Sequence, residues 1–339
     1  MAISGVRRLD AASFSGTTSG TTSPFQSLYW ARLKNSHGWT PCFFSYMHHD
    51  SPCGLLVLVR CFPLGQKLAY VPFAPEGCMT GVDMEVLSQA ILSLLPHGVF
   101  VLRYDLPWGT PGLQEDFRIS RLRSCKESVQ PVATVRISLH KGMSAVYQGF
   151  RQRCRRNLKK AVDNGITIRH WEKNATVLSQ WYELYLGTAR RDGFSPRPLP
   201  YIKDVLEVEE SDGQADLYVA YDANGDLAGG IIVLFGRQEA VYLHGSSRRD
   251  VFSMGASWLL QVHAMEKACE VGCKVYDLHG ISASHDGRGH LGRLDLFKTS
   301  FGGEIIDRPA SLDFIRGRLR RRAYVMLENL RYSVRRGTV

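Results

Sequence analysis

The chain has 339 residues, and its 42 lysines and arginines outnumber its 32 aspartates and glutamates to give a formal net charge of +10. With 44% hydrophobic and 22% charged residues, it is too apolar for a disordered protein and long enough for two domains. No apolar run approaches the roughly 20 residues of a membrane-spanning helix, and the first residues lack the apolar core of a signal peptide, so we expect a cytoplasmic protein.

The first half of the chain predicts a flexible leader followed by a β-rich unit. Residues 1–23 end in a Ser/Thr/Gly-rich stretch, a composition that is typical of disorder. Beyond Pro24, β-branched and aromatic runs alternate with Gly, Pro and Asp, and one segment shows helical spacing. The predicted elements are strands at 42–47, 55–62 and 67–73, a helix at 83–95 and a strand at 99–104.

The second half repeats this β-β-β-α-β order, and both copies end on Tyr-Asp, at 104–105 and 276–277. Its predicted elements are strands at 217–221, 227–235 and 240–244, a helix at 255–270 and a strand at 274–278. They are preceded by a strand at 132–138, a helix at 143–163, a strand at 166–171 and a helix at 176–190. This order is that of a GCN5-related N-acetyltransferase (GNAT) fold, and two copies indicate an internal duplication.

We therefore predict an α/β (α+β) protein of two tandem GNAT-like domains, at 24–130 and 131–315. A basic C-terminal helix at 316–339 is expected to pack back on the first domain. No heptad stretch is long enough for a coiled-coil arm.

The positive charge is concentrated in two segments. Residues 151–160 hold six basic residues and no acid, and residues 316–336 hold eight arginines and one glutamate. These segments carry +6 and +7, so the remainder of the chain is net −3. This distribution indicates anionic partners rather than a uniformly basic nucleic-acid coat, and RNA phosphates or anionic lipid headgroups both suit it.

The first basic segment lies on the predicted 143–163 helix, with Cys154, Leu158 and Ala161 on the opposite side. Because residues 151–160 contain no acid that could form ion pairs between the basic residues, we interpret this face as an anion-binding surface. The residues that we expect to bind tRNA or another anion are Arg151, Arg155, Arg156, Lys159 and Lys160.

Two further sequence features bear on cofactors. A GNAT enzyme holds the pyrophosphate of acyl-coenzyme A with a Q/R-x-x-G-x-G/A loop at a helix start, but here Phe252 stands where Gln or Arg is expected, which disfavours a coenzyme A donor. The eight cysteines contain no C-x-x-C pair, and His48, His49, Asp50 and Cys53 lack a second ligand pair. We predict neither disulfides nor a metal site.

Three tracts in a fixed order resemble the FemABX family of non-ribosomal aminoacyltransferases. They are residues 241–247 (VYLHGSS), 275–281 (VYDLHGI) and 296–303 (LFKTSFGG). Shorter matches extend the likeness over about residues 24–314; they lie at 26–38, 70–72, 103–105, 156–165 and 188–194. The family fold is two GNAT-like domains, in agreement with the duplication.

The resemblance implies an aminoacyltransferase that uses aminoacyl-tRNA as co-substrate, without a cofactor. It would transfer an amino acid to an amine of the stem peptide of a peptidoglycan precursor, UDP-MurNAc-pentapeptide or lipid II, and so build the interpeptide bridge or branch. We expect a monomer that contacts the anionic inner leaflet peripherally. The amino acid, the accepting stem residue and the choice between soluble and lipid-linked acceptor stay open.

The resemblance also implies roles for particular residues. Lys298 would be a catalytic cation against the tRNA terminus or the developing oxyanion, with an exposed lysine as the alternative. Phe297 would wall the site or stack on the terminal adenosine, with core packing as the alternative. Lys34 and Arg191 match the positions that bind the diphosphate of the acceptor, Arg190 being the rival of Arg191.

Two side chains at strands complete the predicted site. Tyr242 could hydrogen-bond the acceptor or be a buried structural tyrosine. Asp105 could bind or deprotonate the incoming amine, or cap the end of its strand, as Asp277 could. Two other functions stay open: a GNAT-like N-acyltransferase with an acyl-coenzyme A or acyl-carrier donor, and a non-catalytic RNA- or membrane-binding protein.

Overall fold

A computed structural model of the chain describes residues 2–17, 22–77, 79–111, 121–125, 129–249, 252–282 and 292–326. The chain divides into two compact units, the first formed by residues 1–130 and 308–339 and the second by residues 131–307. Among the helices in the described ranges, none is both long and apolar enough to cross a membrane.

The first unit is built on a sheet of seven described strands. The strands are β1 (Ile3–Leu9), β2 (Trp39–His48), β3 (Ser51–Cys61), β4 (Lys67–Pro72), β5 (Val99–Asp105), β6 (Leu122–Ser124) and β15 (Leu312–Ile315). They lie in the order β1-β2-β3-β4-β5-β15-β6, in which only β4 and β5 are parallel neighbours. The α-helices that precede residue 130 are α1 (Ala11–Thr17), α2 (Leu28–Ser36) and α3 (Gly81–Leu94).

Helix α3 makes the crossover that a parallel pair of strands requires between β4 and β5. It begins with a capping box, in which the Thr80 hydroxyl accepts from the Asp83 N–H at 3.1 Å and the Asp83 carboxylate accepts from the Thr80 N–H. Met84, Leu87 and Ile91 recur at helical spacing and are fully buried, so this stripe fixes α3 on the core of the unit.

The second unit contains the other described strands. They are β7 (Ala133–Ser138), β8 (Thr167–His170), β9 (Glu209–Glu210), β10 (Gly213–Tyr221), β11 (Leu227–Gly236), β12 (Glu239–Ser247), β13 (Val275–Asp277) and β14 (Glu304–Asp307). Their order is β14-β7-β13-β12-β11-β10-β8, with β9 added to β10. The helices are α4 (Gly142–Gly149), α5 (Gln152–Asp163), α6 (Ala175–Asp192), α7 (Leu199–Glu207), α8 (Ala256–Glu270) and α9 (Gly292–Lys298).

The predicted β-β-β-α-β order is present in both units. In the first, β2, β3 and β4 are antiparallel and α3 leads to the parallel strand β5. In the second, β10, β11 and β12 are antiparallel and α8 leads to the parallel strand β13. The duplicated arrangement follows from the repeated hydrophobic periodicity of the two halves.

The flexible leader predicted at 1–23 is wrong over residues 3–17. Strand β1 pairs with β2, and α1 buries Phe14 against Phe43 with ring centroids 4.7 Å apart. Composition misses this segment because its order comes from an available sheet edge and one buried aromatic ring. Residues 1 and 18–21 of the predicted leader lie outside the described residues.

The second unit ends earlier than the predicted boundary at 315. Strand β15 pairs with β5 and β6, so the chain has returned to the first unit by Arg308. The described part of the predicted C-terminal helix spans 318–326. Its Tyr324 contacts the first unit, with ring centroids 5.6 Å from Phe62 and 5.7 Å from Phe100. The remainder of that helix, 327–339, lies outside the described residues.

The single helix predicted at 143–163 is instead the pair α4 and α5, with extended backbone at Phe150 and Arg151. The Arg151 N–H donates to the Ser300 carbonyl at 2.9 Å. Phe150 is buried edge-to-face against Phe301, with centroids 5.8 Å apart. The break therefore depends on tertiary partners that helical periodicity does not reveal.

Candidate active site

The candidate site lies in the second unit, where the parallel strands β12 and β13 separate. They pair over only three residues of each strand. Strand β12 then continues to Ser247 through a bulge opposite Ile232 and Val233, whereas the chain after Asp277 turns along β7. The two segments diverge beyond this point, and the space between them is called the cleft below.

The side chain of Lys298 occupies this cleft. It is the last residue of α9 and only 4% exposed. Its Nζ donates to the carbonyl oxygens of His279 and Gly280, the latter at 2.7 Å, and lies 5.4 Å from the ring centroid of Tyr242 on β12. Lys298 thus contacts both arms of the cleft, and the alternative of an exposed surface lysine is wrong.

A strained turn aims the two carbonyls at Lys298. His279 and Gly280 have φ angles of 47° and 77°, a left-handed conformation that glycine adopts freely and histidine rarely. Asp277 holds the turn, because its Oδ1 accepts from the His279 N–H at 2.7 Å and from the Thr134 hydroxyl. Strain of this kind concentrates at functional sites, where the surrounding structure maintains it.

Burial gives Lys298 an unusual protonation equilibrium. Desolvation lowers the pKa of its amine from 10.5 to about 7, and the nearby carboxylates of Asp277 and Asp295 oppose that shift. Asp295 lies one helical turn before Lys298 and is itself buried, accepting from the Ser282 N–H at 3.0 Å. At neutral pH the side chain can therefore serve as a cation or as a neutral amine.

Helix α6 supplies an aromatic and polar wall along β12. Trp181, Tyr185 and Thr188 recur at helical spacing, and the rings of Trp181 and Tyr185 stack with centroids 5.3 Å apart. The Tyr185 hydroxyl lies 3.5 Å from Nδ1 of His244, and the Thr188 hydroxyl accepts from the Ser247 N–H at 3.5 Å. The sequence interpretation missed this wall, although the helical stripe and the position of His244, two residues after Tyr242, were visible signals.

The structure separates the adjacent residues Arg190 and Arg191. Arg191 pairs with Asp192 at 2.9 Å and its Nη1 donates to the Ser247 carbonyl at 3.5 Å, so it lies against the end of β12. Both arginines are exposed at the end of α6. Of the two, Arg191 has the contact with the cleft strand.

The position of the Tyr242 ring depends on Gly245, three residues further along β12. A Cβ atom at Gly245 would lie 2.0 Å from the Tyr242 hydroxyl oxygen, so only glycine leaves room for this ring position. Burial is the main cause that raises the pKa of Tyr242, and Asp192 and Tyr185 add to it. The hydroxyl therefore stays protonated at physiological pH and is able to donate a hydrogen bond.

The chain is similar in sequence and in fold to several known proteins. A family model described as an acetyltransferase (GNAT) domain matches residues 148–290. The UDP-N-acetylmuramoylpentapeptide-lysine N(6)-alanyltransferase of Weissella viridescens is 24% identical over 274 residues, 76% of this chain and 80% of that protein. A lipid II:glycine glycyltransferase of Staphylococcus haemolyticus (strain JCSC1435) is 20% identical over 269 residues, 61% of this chain and 63% of that protein. The crystal structure of FemX superposes with a TM-score of 0.77 at 16% identity, covering 93% of this chain and 98% of that one.

The chain is thus similar in sequence to these two peptidoglycan-precursor aminoacyltransferases and similar in fold to FemX. The predicted resemblance to the FemABX family, the GNAT-like fold and the class of enzyme, an aminoacyltransferase, are confirmed. The fold likeness to FemX also agrees with the two β-β-β-α-β units described above.

Phe297, which directly precedes the catalytic candidate Lys298, is a core residue. Its buried ring contacts Trp258 and Phe301 edge-to-face, with centroids 5.0 and 5.3 Å away. This geometry favours the packing alternative, since such rings fix the end of α9 and hence Lys298. Stacking of Phe297 on a terminal adenosine stays a prediction.

The remaining predicted residues, Lys34 and Asp105, lie in the first unit. Lys34 is half-buried on α2, with Nζ 4.2 Å from the centroid of the Trp30 ring. Asp105 is fully buried and accepts from the Tyr70 hydroxyl at 2.7 Å, while Arg308 lies 3.2 Å from its Oδ1. These contacts favour a structural role for Asp105, and both predicted substrate roles stay predictions.

Helix α5 presents the basic face that its sequence indicates. Cys154 and Ala161 are buried, whereas every basic residue of the face is exposed: Arg151, Arg153, Arg155, Arg156, Lys159 and Lys160. The helix packs directly on the start of α8, because a Cβ atom at Gly255, whose φ is 87°, would lie 2.0 Å from the Asn157 carbonyl. The glycine of the degenerate phosphate loop thus permits this close backbone approach.

Across the described ranges, no group of three or more His, Cys, Asp and Glu side chains is arranged to hold a metal ion. The groups around the Lys298 amine are backbone carbonyls, the Tyr242 ring and the carboxylates of Asp277 and Asp295. This is a set suited to hydrogen bonding and to stabilising charge.

Proposed function

We propose that this protein transfers an amino acid from aminoacyl-tRNA to an amine of the stem peptide of a peptidoglycan precursor, UDP-MurNAc-pentapeptide or lipid II, and thereby builds an interpeptide bridge or branch. The names of the two relatives described above contain these acceptors. The observation that carries the proposal is the buried amine of Lys298 in the cleft between β12 and β13.

The reaction needs no covalent enzyme intermediate. The acceptor nitrogen attacks the ester carbonyl carbon, a C–N bond forms, and the C–O bond to the terminal ribose of the tRNA breaks. The proton that the amine loses ends on the ribose oxygen, so the products are an amide and uncharged tRNA. Because the ester is already activated, the protein has mainly to align the reactants and to stabilise the tetrahedral oxyanion.

Lys298 is our candidate for that stabilisation. An ammonium group has three N–H donors, and two of them are directed at the carbonyls of residues 279 and 280. We assign the third to the ester carbonyl oxygen, which becomes negative in the transition state. In a buried site such a donor acts more strongly than in water.

The acceptor is proposed to lie along β12. The Tyr242 hydroxyl can donate to a peptide carbonyl, and the ring of His244 adds a polar surface that faces Tyr185. Arg191, at the end of the same strand, is proposed to bind phosphate oxygens of the acceptor through its planar guanidinium. Lys34 lies in the first unit, and its role in binding phosphate stays a prediction.

The donor is proposed to bind the exposed basic face of α5. The six cations of residues 151–160, a segment that contains no acid, would attract the tRNA backbone and release its counterions. The start of α8, which lies against α5 and has no side-chain cap, adds backbone N–H groups of the same polarity. The enzyme would work in the cytoplasm, at the inner membrane face when its acceptor is lipid-linked.

A transfer assay tests the proposal. The full-length protein is incubated with a mixed pool of charged tRNA and with each acceptor in turn, with or without RNase, and the mass added to the acceptor is measured. We expect the mass of one or more amino-acid residues, only without RNase. Lys298→Met should lose the product, whereas Lys173→Met, at a lysine that is 69% exposed and pairs with exposed Glu209, should keep it.

Two outcomes would contradict the proposal. A product that survives RNase treatment would exclude the tRNA donor. Transfer of an acetyl group from acetyl-coenzyme A would instead support the GNAT-like alternative, to which the family model at residues 148–290 is relevant.

A further inference from the structure

The C-terminal helix at 318–326 exposes an apolar stripe. Leu319 is 79% exposed and Met326 is 67% exposed, and Ala323 between them is also exposed. Spacings of four and three residues place these side chains on one face of the helix. The arginines beside this face are exposed as well: Arg318, Arg320 and Arg322.

Contacts on the opposite face fix the rotation of this helix. The Arg321 Nε donates to Asp313 at 2.8 Å, and the same buried carboxylate binds Arg103, also at 2.8 Å. Tyr324 packs against Phe62 and Phe100 of the first unit. Because the inner face is held by a buried ion pair and by aromatic contacts, the outward position of Leu319 and Met326 is determined by the fold.

We infer that this helix docks on an anionic lipid surface, with Leu319 and Met326 at the boundary between headgroups and acyl chains and the flanking arginines on lipid phosphates. Apolar side chains flanked by arginines are the signature of an interfacial helix. An RNA backbone would satisfy the arginines but would leave the apolar stripe in water. A lipid surface accommodates both, with the long arginine side chains reaching the headgroups.

The inference extends the proposed function, because lipid II is a membrane-bound acceptor, but lipid binding itself requires neither tRNA nor acceptor. It also distinguishes the two basic elements of the chain. The basic face of α5 in the second unit is assigned to the donor, and the helix at 318–326 in the first unit is assigned to the membrane.

The test is co-sedimentation of the full-length protein with vesicles of phosphatidylcholine alone or mixed with phosphatidylglycerol. We expect binding only to the mixed vesicles. Arg318→Gln/Arg322→Gln should weaken it by about 30-fold, the factor expected for two cations at an anionic surface. Leu319→Ser/Met326→Ser, which keeps every charge, should weaken it roughly tenfold by removing buried apolar area.

The matched control is Arg156→Gln/Lys159→Gln on α5, which removes the same charge and should leave vesicle binding unchanged. Because all six substituted side chains are exposed, melting temperatures should match that of the wild type. Vesicle binding that resists both helix variants, or that falls equally with the α5 variant, would overturn the inference.

If the helix arginines instead affect only the affinity for uncharged tRNA, and the apolar pair has no effect, the surface binds RNA and the inference is wrong. The proposed function is measured separately, by transfer to the soluble nucleotide acceptor, in which no membrane takes part. Failure of that transfer would refute the proposed function and leave the vesicle result as the measure of this inference.

Discussion

The two units share one frame but differ where their parallel strands end. In the first unit, β4 and β5 stay paired as far as Pro72 and Asp105, the last residues of both strands. In the second, β12 and β13 part after Val241 and Asp277, and β12 runs on alone toward Ser247. One copy of the duplicated fold is thus closed at this point and the other is open.

The charged side chains near the two strand ends also differ in the partners that bind them. Asp105 is closed in by Arg308, by the hydroxyls of Tyr70 and Ser311 and by the Gln130 N–H. In the second unit the cation is Lys298, and its hydrogen bonds go to neutral carbonyl oxygens.

This difference shows how a common frame yields one structural and one reactive centre. An arginine remains charged in a protein and forms a lasting ion pair with its carboxylate. A buried lysine held by carbonyls has a pKa near neutrality and keeps a donor for a substrate. Chemistry is therefore expected in the second unit only, and the predictions below test that division.

The largest effect is expected from removing Arg308, the cation that pairs with Asp105 in the first unit. Arg308→Met leaves the fully buried carboxylate of Asp105 without its cation, which should lower the free energy of unfolding by about 3–5 kcal/mol. Urea unfolding followed by circular dichroism measures this change. Lys173→Met is the control and should stay within about 0.5 kcal/mol of the wild type.

The opposite result would revive the catalytic role predicted for Asp105. If Arg308→Met cost less than about 1 kcal/mol, while Asp105→Asn abolished transfer without lowering stability, the first unit would hold a reactive carboxylate. The contrast between the two units would then be wrong.

In the second unit, substitution of Lys298 should lower activity rather than stability. Lys298→Met removes the donor assigned to the oxyanion and should lower the single-turnover rate by about 10²–10³-fold. The free energy of unfolding should not fall, because methionine fills a similar volume without a buried charge. A variant with wild-type turnover would show that the amine takes no part in the reaction.

The pKa of Lys298 predicts a pH-dependent stability. The folded pKa of about 7 is below the unfolded value of 10.5, so the unfolded chain binds more protons between these pH values and stability rises with pH there. Relative to Lys298→Met, the wild type should gain about 2 kcal/mol in free energy of unfolding between about pH 7 and 9, and lose it on return. Parallel pH curves for the two proteins would show that the lysine keeps its ordinary pKa.

Much of this fold could be predicted because hydrophobic periodicity is a local signal. The helix expected at 255–270 is found at Ala256–Glu270, and the strand expected at 227–235 is found at Leu227–Gly236. The break at Phe150 and the order of α1 were not predictable, because each depends on an aromatic partner elsewhere in the chain.

The site was less predictable than the fold. Tyr104-Asp105 and Tyr276-Asp277 look alike in sequence, and only the tertiary partners, Arg308 in one case and Lys298 in the other, distinguish them. The motif identified Lys298, but not its burial or the carbonyls that hold it. Neighbouring helical residues point about 100° apart, so the choice of Arg191 required the position of α6 on the sheet.

The smallest expected effect is on the binding of aminoacyl-tRNA, and it tests whether the donor binds the second unit rather than the first. Arg156→Gln/Lys159→Gln on α5 should weaken binding of aminoacyl-tRNA about tenfold at low salt and reduce the slope of log affinity against log salt by about 1.5, since each neutralised phosphate contributes about 0.7–0.9. Filter binding across a salt series measures both quantities. Arg318→Gln/Arg322→Gln removes the same charge from the first unit and should change neither. Equal losses in the two variants would mean that tRNA follows net charge rather than the second unit, whereas a loss confined to α5 would place donor binding and Lys298 in the same half of the duplication.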